Sequence, residues 1–163
     1  MCLPELYRNN TKKGSKRLPV IAALVMLILS GADAQNFIVK NYTTRDGLPH
    51  NNIRSLALDS TGFLWIATWD GLSRFDGYEF RNYYHRVNDS LSLPFFSIHN
   101  LEVDAENNLW ILTDHRQLVR YNRFSDNFST IHSIDGIATT QIANFFADDK
   151  GVFWIINKSE IFR

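Results

Sequence analysis

The feature that most constrains this chain is a short apolar and aromatic stretch that occurs three times. Its copies lie at residues 62–68, 108–113 and 152–157. Their tryptophans, which are 45 and 44 residues apart, are Trp65, Trp110 and Trp154. A repeat of forty-odd residues built on short apolar strands is typical of β-propeller blades rather than of helical repeats. The sequence therefore predicts an all-β chain made of successive blades.

Two further positions of the repeat keep the same spacing. An isoleucine begins each unit, at Ile53, Ile98 and Ile142. An aspartate precedes each aromatic stretch, at Asp59, Asp104 and Asp148. We interpret the aspartates as turn formers, because an Asp side chain can hydrogen-bond to the backbone two residues further on. Calcium binding is the less favoured alternative, because no segment has the spacing of a calcium loop, and no metal ligands are predicted.

The spacing predicts a partial β-propeller over residues 35–163. Two complete four-stranded blades are expected at about residues 43–87 and 88–131, followed by an incomplete third blade at 132–163. Residues 35–42 resemble the outer strands that end the first two repeats, and they predict a leading outer strand. The three repeated tryptophans are expected to be structural core, because a large ring can fill the wedge between neighbouring sheets.

Residues 1–34 predict a cleaved secretory signal peptide. A basic segment is followed by an apolar run at residues 18–29 and by Ala-Asp-Ala at residues 32–34, which has the form of a cleavage site. The apolar run is shorter than the roughly 20 residues of a spanning helix, so a retained anchor is the less favoured alternative. Cleavage would export residues 35–163 and remove the single cysteine, Cys2.

Charge and histidine spacing exclude some functions. The formal net charge of the whole chain is zero, and residues 35–163 carry three more acidic than basic side chains. No run of Lys or Arg in that part would neutralise a phosphate backbone, so nucleic acid is not an expected partner. The five histidines show no metal-binding spacing, and no serine has the context of a nucleophile. We therefore expect neither catalysis nor a cofactor.

Blade one also contains the residues of a known family. The segments at residues 46–56, 59–68 and 71–77 resemble the two-component regulator propeller repeat. The resemblance extends over nearly all of residues 36–163. It is weaker in blade two, where residues 115–117 (His-Arg-Gln) replace the usual glycines, and weaker again in blade three.

The resemblance implies a sensory function without catalysis in this chain. In that family the repeats form the N-terminal periplasmic sensor region of hybrid two-component regulators, which are anchored in the inner membrane and carry histidine kinase activity in other domains. The implied partners are the remaining propeller blades, a second copy in a homodimer, and an oligosaccharide whose detection controls glycan-utilisation genes. The alternative is a structural or protein-interaction propeller module, or a non-functional truncated gene product.

Propeller topology predicts where a ligand would bind. The segment before the innermost strand and the turn between the second and third strands emerge at the same end of a blade, and ligands commonly bind where such loops converge. The candidate contacts at this end are Arg45, His50, Trp69, Asp70, His115 and Arg116. An exposed Trp69 beside charged groups suits the apolar faces and hydroxyls of a sugar. The alternative is that Trp69 only covers its own hairpin.

Overall fold

The computed structural model describes residues 38–134, 136–139, 142–148, 152–157 and 160–163. The signal peptide predicted at residues 1–34 lies outside them. The chain divides into a unit of residues 1–40 and a unit of residues 41–163, and the sheets below belong to the second unit. A search of the described residues finds no helix that is long and apolar enough to cross a membrane.

Blades one and two are four-stranded antiparallel sheets whose strands pair in chain order. Blade one consists of β1 (Ile53–Leu58), β2 (Leu64–Thr68), β3 (Gly71–Phe75) and β4 (Phe80–Tyr83). Blade two consists of β5 (Ile98–Val103), β6 (Leu109–Thr113), β7 (Leu118–Asn122) and β8 (Asn127–Ile131). The first residue of the innermost strand faces the last residue of the second strand in both blades. The repeated sequence therefore produces a repeated register.

Blade three is a sheet of three described strands. After a short hairpin of β9 (Ser133–Ile134) and β10 (Ile137–Ala138), its strands are β11 (Asn144–Ala147), β12 (Phe153–Ile156) and β13 (Ile161–Phe162). The repeat predicted the three strands of this blade, but it did not predict the hairpin. A 3-10 turn at Thr44–Asp46 precedes blade one.

The innermost strands of the three blades lie side by side. β1 contacts β5, and β5 contacts β11. Side chains at one repeated position join them: Ser55 Oγ donates to Asn100 Oδ1 over 3.0 Å, and Asn100 Nδ2 donates to Asn144 Oδ1 over 3.1 Å. The blades are thus arranged along a shared inner edge, and the predicted all-β partial propeller is confirmed.

The repeated aspartate both closes a turn and holds an indole. In blade one, Asp59 Oδ1 accepts from the backbone N–H of Phe63 over 3.0 Å, and Oδ2 accepts from the indole N–H of Trp65 over 2.8 Å. The indole bond recurs at 2.8 Å between Trp110 and Asp104, and at 3.1 Å between Trp154 and Asp148. The spacing of six residues in the sequence therefore places the Asp carboxylate within hydrogen-bonding distance of the indole. This bond was not predicted from the sequence.

Trp65 lies between blades one and two. Its side chain is fully buried, and its ring contacts Tyr83 of blade one and Tyr121 of blade two at centroid distances of 5.9 and 4.8 Å. Apolar side chains of both sheets, such as Leu72 and Ile111, complete this core. Because burying an indole removes on the order of 150–250 Å² from water, Trp65 contributes strongly to the attraction between these blades.

The other two indoles are less enclosed. Trp110 is half-buried and contacts Phe153 of blade three at a centroid distance of 5.1 Å. Trp154 is also half-buried, and its described ring contacts are Phe146 at 6.1 Å and the guanidinium of Arg163 at 5.7 Å, both in its own blade. Each of the first two indoles is thus covered by the blade that follows it.

The leading outer strand predicted at residues 35–42 does not form over residues 38–42, which are its described part. A strand needs a neighbour for its backbone hydrogen bonds, and none of the described strands pairs with this segment. Tyr42 nevertheless packs on Phe75 and Phe80 at centroid distances of 5.0 and 5.4 Å. Tyr42 therefore packs on the two outer strands of blade one.

Candidate functional site

Loops of blades one and two converge at one end of the arc. The backbone N–H of Trp69 donates to the carbonyl of Asn52 over 3.3 Å, and that of Gly71 donates to the carbonyl of Phe96, before β5, over 2.7 Å. Gly71 has a φ of 117°, and a Cβ there would lie 2.6 Å from the carbonyl oxygen of Tyr83. Only glycine therefore fits this crossing between the two blades.

Strands β1 and β5 each contain a bulge at this end. The pairing of β1 with β2 shifts around Arg54, and the pairing of β5 with β6 shifts around His99. A bulge changes the direction of a side chain, and bulges are frequent beside binding sites. The two bulges occupy the same position of the repeat, so successive blades present Arg54 and His99 next to each other.

A polar cluster forms around the two bulged residues. Arg54 Nη2 lies 3.3 Å from His99 Nδ1, and the Asp114 carboxylate lies 3.4 Å from Nη2 and 3.5 Å from Nδ1. The hydroxyl of Ser97 donates to the other carboxylate oxygen over 2.6 Å. A guanidinium can only donate and a carboxylate can only accept, so Nδ1 of His99 either accepts from Arg54 or donates to Asp114, depending on the tautomer of the ring.

Trp69 presents an exposed aromatic face beside this cluster. Its side chain is 51% exposed, the ring of His50 stacks on it at a centroid distance of 6.3 Å, and the guanidinium of Arg54 lies 6.0 Å from its centroid. The ring of His50 is oriented by the backbone N–H of Asn52, which donates to Nδ1 over 2.9 Å. We define the axial site as His50, Arg54, Trp69, His99 and Asp114.

The predicted site residues fall into three groups, of which the third, His115 and Arg116, is described in the next paragraph. His50 and Trp69 are brought together in the axial site. Arg45 and Asp70 are exposed at the same end, in the 3-10 turn and in the β2–β3 turn. Within the described part of the chain, no three His, Cys, Asp or Glu side chains gather as metal ligands.

His115 and Arg116 make separate contacts in the β6–β7 turn. The ring of His115 lies 3.7 Å from that of Phe95, centroid to centroid. Arg116 has a φ of 61°, and its Nη1 donates to the carbonyl of Ala143, directly before β11, over 2.6 Å. Arg116 therefore joins blade two to blade three, a contact that the sequence analysis did not anticipate.

Arg54, His99 and Asp114 were not among the site residues predicted from the sequence. For the first two a signal was present, because the residue after the repeated isoleucine is Arg54, His99 or Ala143 in successive blades. A position that varies inside a regular repeat is one where a single blade can carry a specific function. Asp114 had no such signal, because it lies in the turn whose length differs between the blades.

A second polar cluster lies at the outer rim between blades one and two. Asp126 accepts from the hydroxyls of Tyr83 and Tyr121 over 2.9 and 2.6 Å, and it pairs with Arg81. Burial raises the pKa of both tyrosines, so they remain donors. Burial also opposes the charge of Asp126, but the hydroxyls and Arg81 keep its pKa below the usual value. A cavity of about 390 Å³ adjoins this cluster. We interpret the cluster as a structural contact between blades one and two.

Fold and site together define a class: an arc of β-propeller blades with a polar and aromatic site where loops converge at one end. Within it, residues 47–70 match the family model described as two component regulator propeller. These residues, which include His50, Arg54 and Trp69, are thus similar to a two-component regulator propeller repeat.

Similar proteins extend that match. The extracellular domain assigned to the hybrid two component system BT3049 of B. thetaiotaomicron is 25% identical with a TM-score of 0.62, covering 74% of this chain and 18% of that one. The extracellular domain assigned to system BT4673 of the same organism is 30% identical with a TM-score of 0.54, covering 69% and 16%. The protein named Histidine kinase P4, from Formosa agariphila, is 36% identical over 74 residues, or 45% of this chain and 5% of that protein. The chain spans less than a fifth of each relative.

Proposed function

We propose that this chain is a non-catalytic part of the periplasmic sensor of a hybrid two-component regulator, and that it detects an oligosaccharide to control glycan-utilisation genes. The similarity to extracellular domains of two-component systems supports a sensing function. The observation that supports a saccharide as the ligand is the half-exposed indole of Trp69, flanked by His50 and Arg54.

The axial site has the chemistry that a sugar requires. A pyranose ring has an apolar face of C–H groups, which packs on an exposed aromatic ring, and hydroxyls, which need fixed donors and acceptors at the edge of that ring. The cluster of Arg54, His99 and Asp114 provides such groups beside Trp69. Hydrogen bonds among these side chains hold them in place before a ligand arrives, which reduces the entropy lost on binding.

In this proposal the chain acts together with further parts of the regulator. The remaining propeller blades complete the site, and a homodimer in the inner membrane transmits binding to the kinase. The chain spans only 18% and 16% of the two extracellular domains that it resembles, so these partners belong to the proposal for the whole regulator.

The test measures oligosaccharide binding by the full-length protein and its Trp69→Ala variant. We expect the variant to lose at least roughly tenfold in affinity, because the stacking surface is removed. Tyr78→Ala is the matched control, because Tyr78 is an exposed aromatic residue in the β3–β4 turn, at the opposite end of the blade. Unchanged affinity in Trp69→Ala, or no saccharide binding by the parent protein, would refute the proposal.

A protein-interaction module is the second candidate, because apolar side chains are exposed on blade one and on blade three. These side chains are Leu56, Leu58, Phe146 and Ile161. Stacked repeats bury such faces against a neighbour. Light scattering of purified residues 35–163 tests whether these faces need a partner: we expect oligomers or aggregates, whereas a well-behaved monomer with a cooperative thermal transition would contradict this candidate. Saccharide binding by the full-length protein distinguishes the two candidates, because a protein-interaction module needs no saccharide.

A further inference from the structure

We infer that the saccharide detected by the axial site carries an anionic group, a carboxylate or a sulfate, and that Arg54 binds this group. The inference rests on the proposed function, because it names the chemical class of the same ligand. It is derived from the donors that Arg54 leaves free, from the contact of Arg54 with His99, and from the place of both residues in the repeat.

Arg54 keeps two of its three guanidinium nitrogens for a ligand. Nη2 makes the contacts with His99 and Asp114, whereas Nε and Nη1 have no hydrogen-bond partner among the described residues. The side chain is 26% exposed and lies 6.0 Å from the centroid of Trp69. Because an arginine stays protonated in proteins, a permanent positive charge lies next to the face on which the sugar ring would stack.

The two free nitrogens of Arg54 lie on one side chain, which Nη2 anchors 3.3 Å from Nδ1 of His99. Nε and Nη1 of Arg54 thus form a set of two donors beside one aromatic ring. Such a set favours a group with several acceptor oxygens on one atom, as in a carboxylate or a sulfate. Hydrogen bonds between charged partners are also roughly twice as strong as neutral ones.

The bulges give a structural reason for assigning anion binding to Arg54 at its place beside His99. In the repeat, the flanking positions hold an isoleucine and a small polar residue in all three blades, whereas the bulged position holds Arg54, His99 or Ala143. The two bulged side chains meet at a single point at the end of the arc. Packing of the sheets does not require a charge there, because the half-buried guanidinium lies outside the core that surrounds Trp65.

Asp114 restrains the positive charge without neutralising it fully. Its distance of 3.4 Å from Nη2 is that of a long, weak hydrogen bond, and its other oxygen is occupied by Ser97. A carboxylate at this distance orients Arg54 and also competes with an anionic ligand. Asp114→Asn removes the competing charge with little change of shape, so it should increase the affinity for an anionic saccharide relative to that for its neutral counterpart.

The experiment uses the full-length protein and an array of oligosaccharides. Every uronate compound on the array is paired with its carboxyl-reduced form, and every sulfated compound with its desulfated form. We expect a preference of at least roughly tenfold for the anionic member of a pair, decreasing at high salt. The pair that shows the preference identifies the anionic group as carboxylate or sulfate.

Variants then assign the preference to a residue. Arg54→Gln should lower the affinity for the anionic member roughly ten- to hundredfold, and the affinity for the neutral member by a clearly smaller factor. Arg54→Lys keeps the charge, and it should retain part of the preference even if the Gln variant folds poorly. Arg86→Gln is the matched control, because Arg86 lies at the cavity of the outer rim and its replacement removes the same charge; it should change nothing.

The outcomes separate this inference from the function on which it rests. If the protein binds both members of each pair equally, or if Arg54→Gln weakens neutral and anionic saccharides alike, the anionic assignment is wrong and the saccharide sensor remains. If no saccharide of either kind binds, the proposed function itself is refuted. A preference that survives Arg54→Gln and disappears in Arg86→Gln would place the anion at the outer rim and overturn the inference.

Discussion

The junction between blades one and two differs from the junction between blades two and three, although both join copies of one repeat. At the first junction, Arg123 in the β7–β8 turn donates to the buried carboxylate of Asp59 over 2.8 Å. At the second, the corresponding Asp104 accepts from Asn108 of its own turn over 2.9 Å. In the part of blade three that the structure describes, no side chain takes the place of Arg123.

The hydrogen bond between the repeated Asp and Trp therefore forms within a single blade, whereas the burial of that pair depends on the following blade. The described strands of blade three end with β13, so a turn of the kind that carries Arg123 is not among them. The loops differ in the same way, because the backbone of Gly71 crosses the first junction and the side chain of Arg116 crosses the second.

The largest expected difference concerns the indoles. Trp65→Ala should lower the free energy of unfolding by about 3–5 kcal/mol, because it opens a cavity between two sheets. Trp154→Ala should lower it by only about 1 kcal/mol, because its ring is half-buried against its own blade. Urea unfolding measures both values. Trp65→Phe keeps part of the ring in case the alanine variant does not fold, and equal losses at the two positions would contradict the comparison.

The next difference concerns the carboxylates of the two turns. Asp59→Asn should destabilise the protein by about 2 kcal/mol, because it removes the charged partner of Arg123, whose buried Nη2 has no partner among the described groups. Asp104→Asn should destabilise by about 1 kcal/mol, because it loses neutral partners only. Urea unfolding again provides the measurement. A larger loss at Asp104 would show that the second junction is the stronger one.

The pH dependence of stability gives a third test. Burial alone would raise the pKa of Asp59, but hydrogen bonds from Thr61, Trp65 and Arg123 outweigh it and lower the pKa to about 2 from its ordinary value of 3.8. The stabilisation is therefore complete above pH 4 or so, and it is lost as the pH falls towards about 2.

The matching measurement compares the parent protein with Asp59→Asn from pH 7 to pH 2. The difference in unfolding free energy should be on the order of 2 kcal/mol near neutrality and should shrink through this acid range. A difference that stays constant down to pH 2 would mean that the carboxylate of Asp59 is not held ionised by its partners.

Sequence reasoning succeeded where the structure depends on one blade and failed where it depends on two. The period of the tryptophans predicted the strands and their order, because alternating apolar residues and turn residues act locally. It did not predict that Arg123 would reach Asp59, because that contact joins residues 64 positions apart. The contact between Arg54 and His99 was missed for the same reason, since it depends on bulges that only the paired strands reveal.

The smallest expected effect is at the second junction, where Arg116 bridges to the carbonyl of Ala143. Arg116→Asn should lower the unfolding free energy by about 1 kcal/mol through the lost hydrogen bond, and asparagine tolerates the positive φ at this position. Hydrogen exchange of the β11 amides should become faster, while exchange in β1 and β5 stays unchanged. Equal acceleration in all three strands would show that the arc opens as one unit, and that the second junction is no weaker than the first.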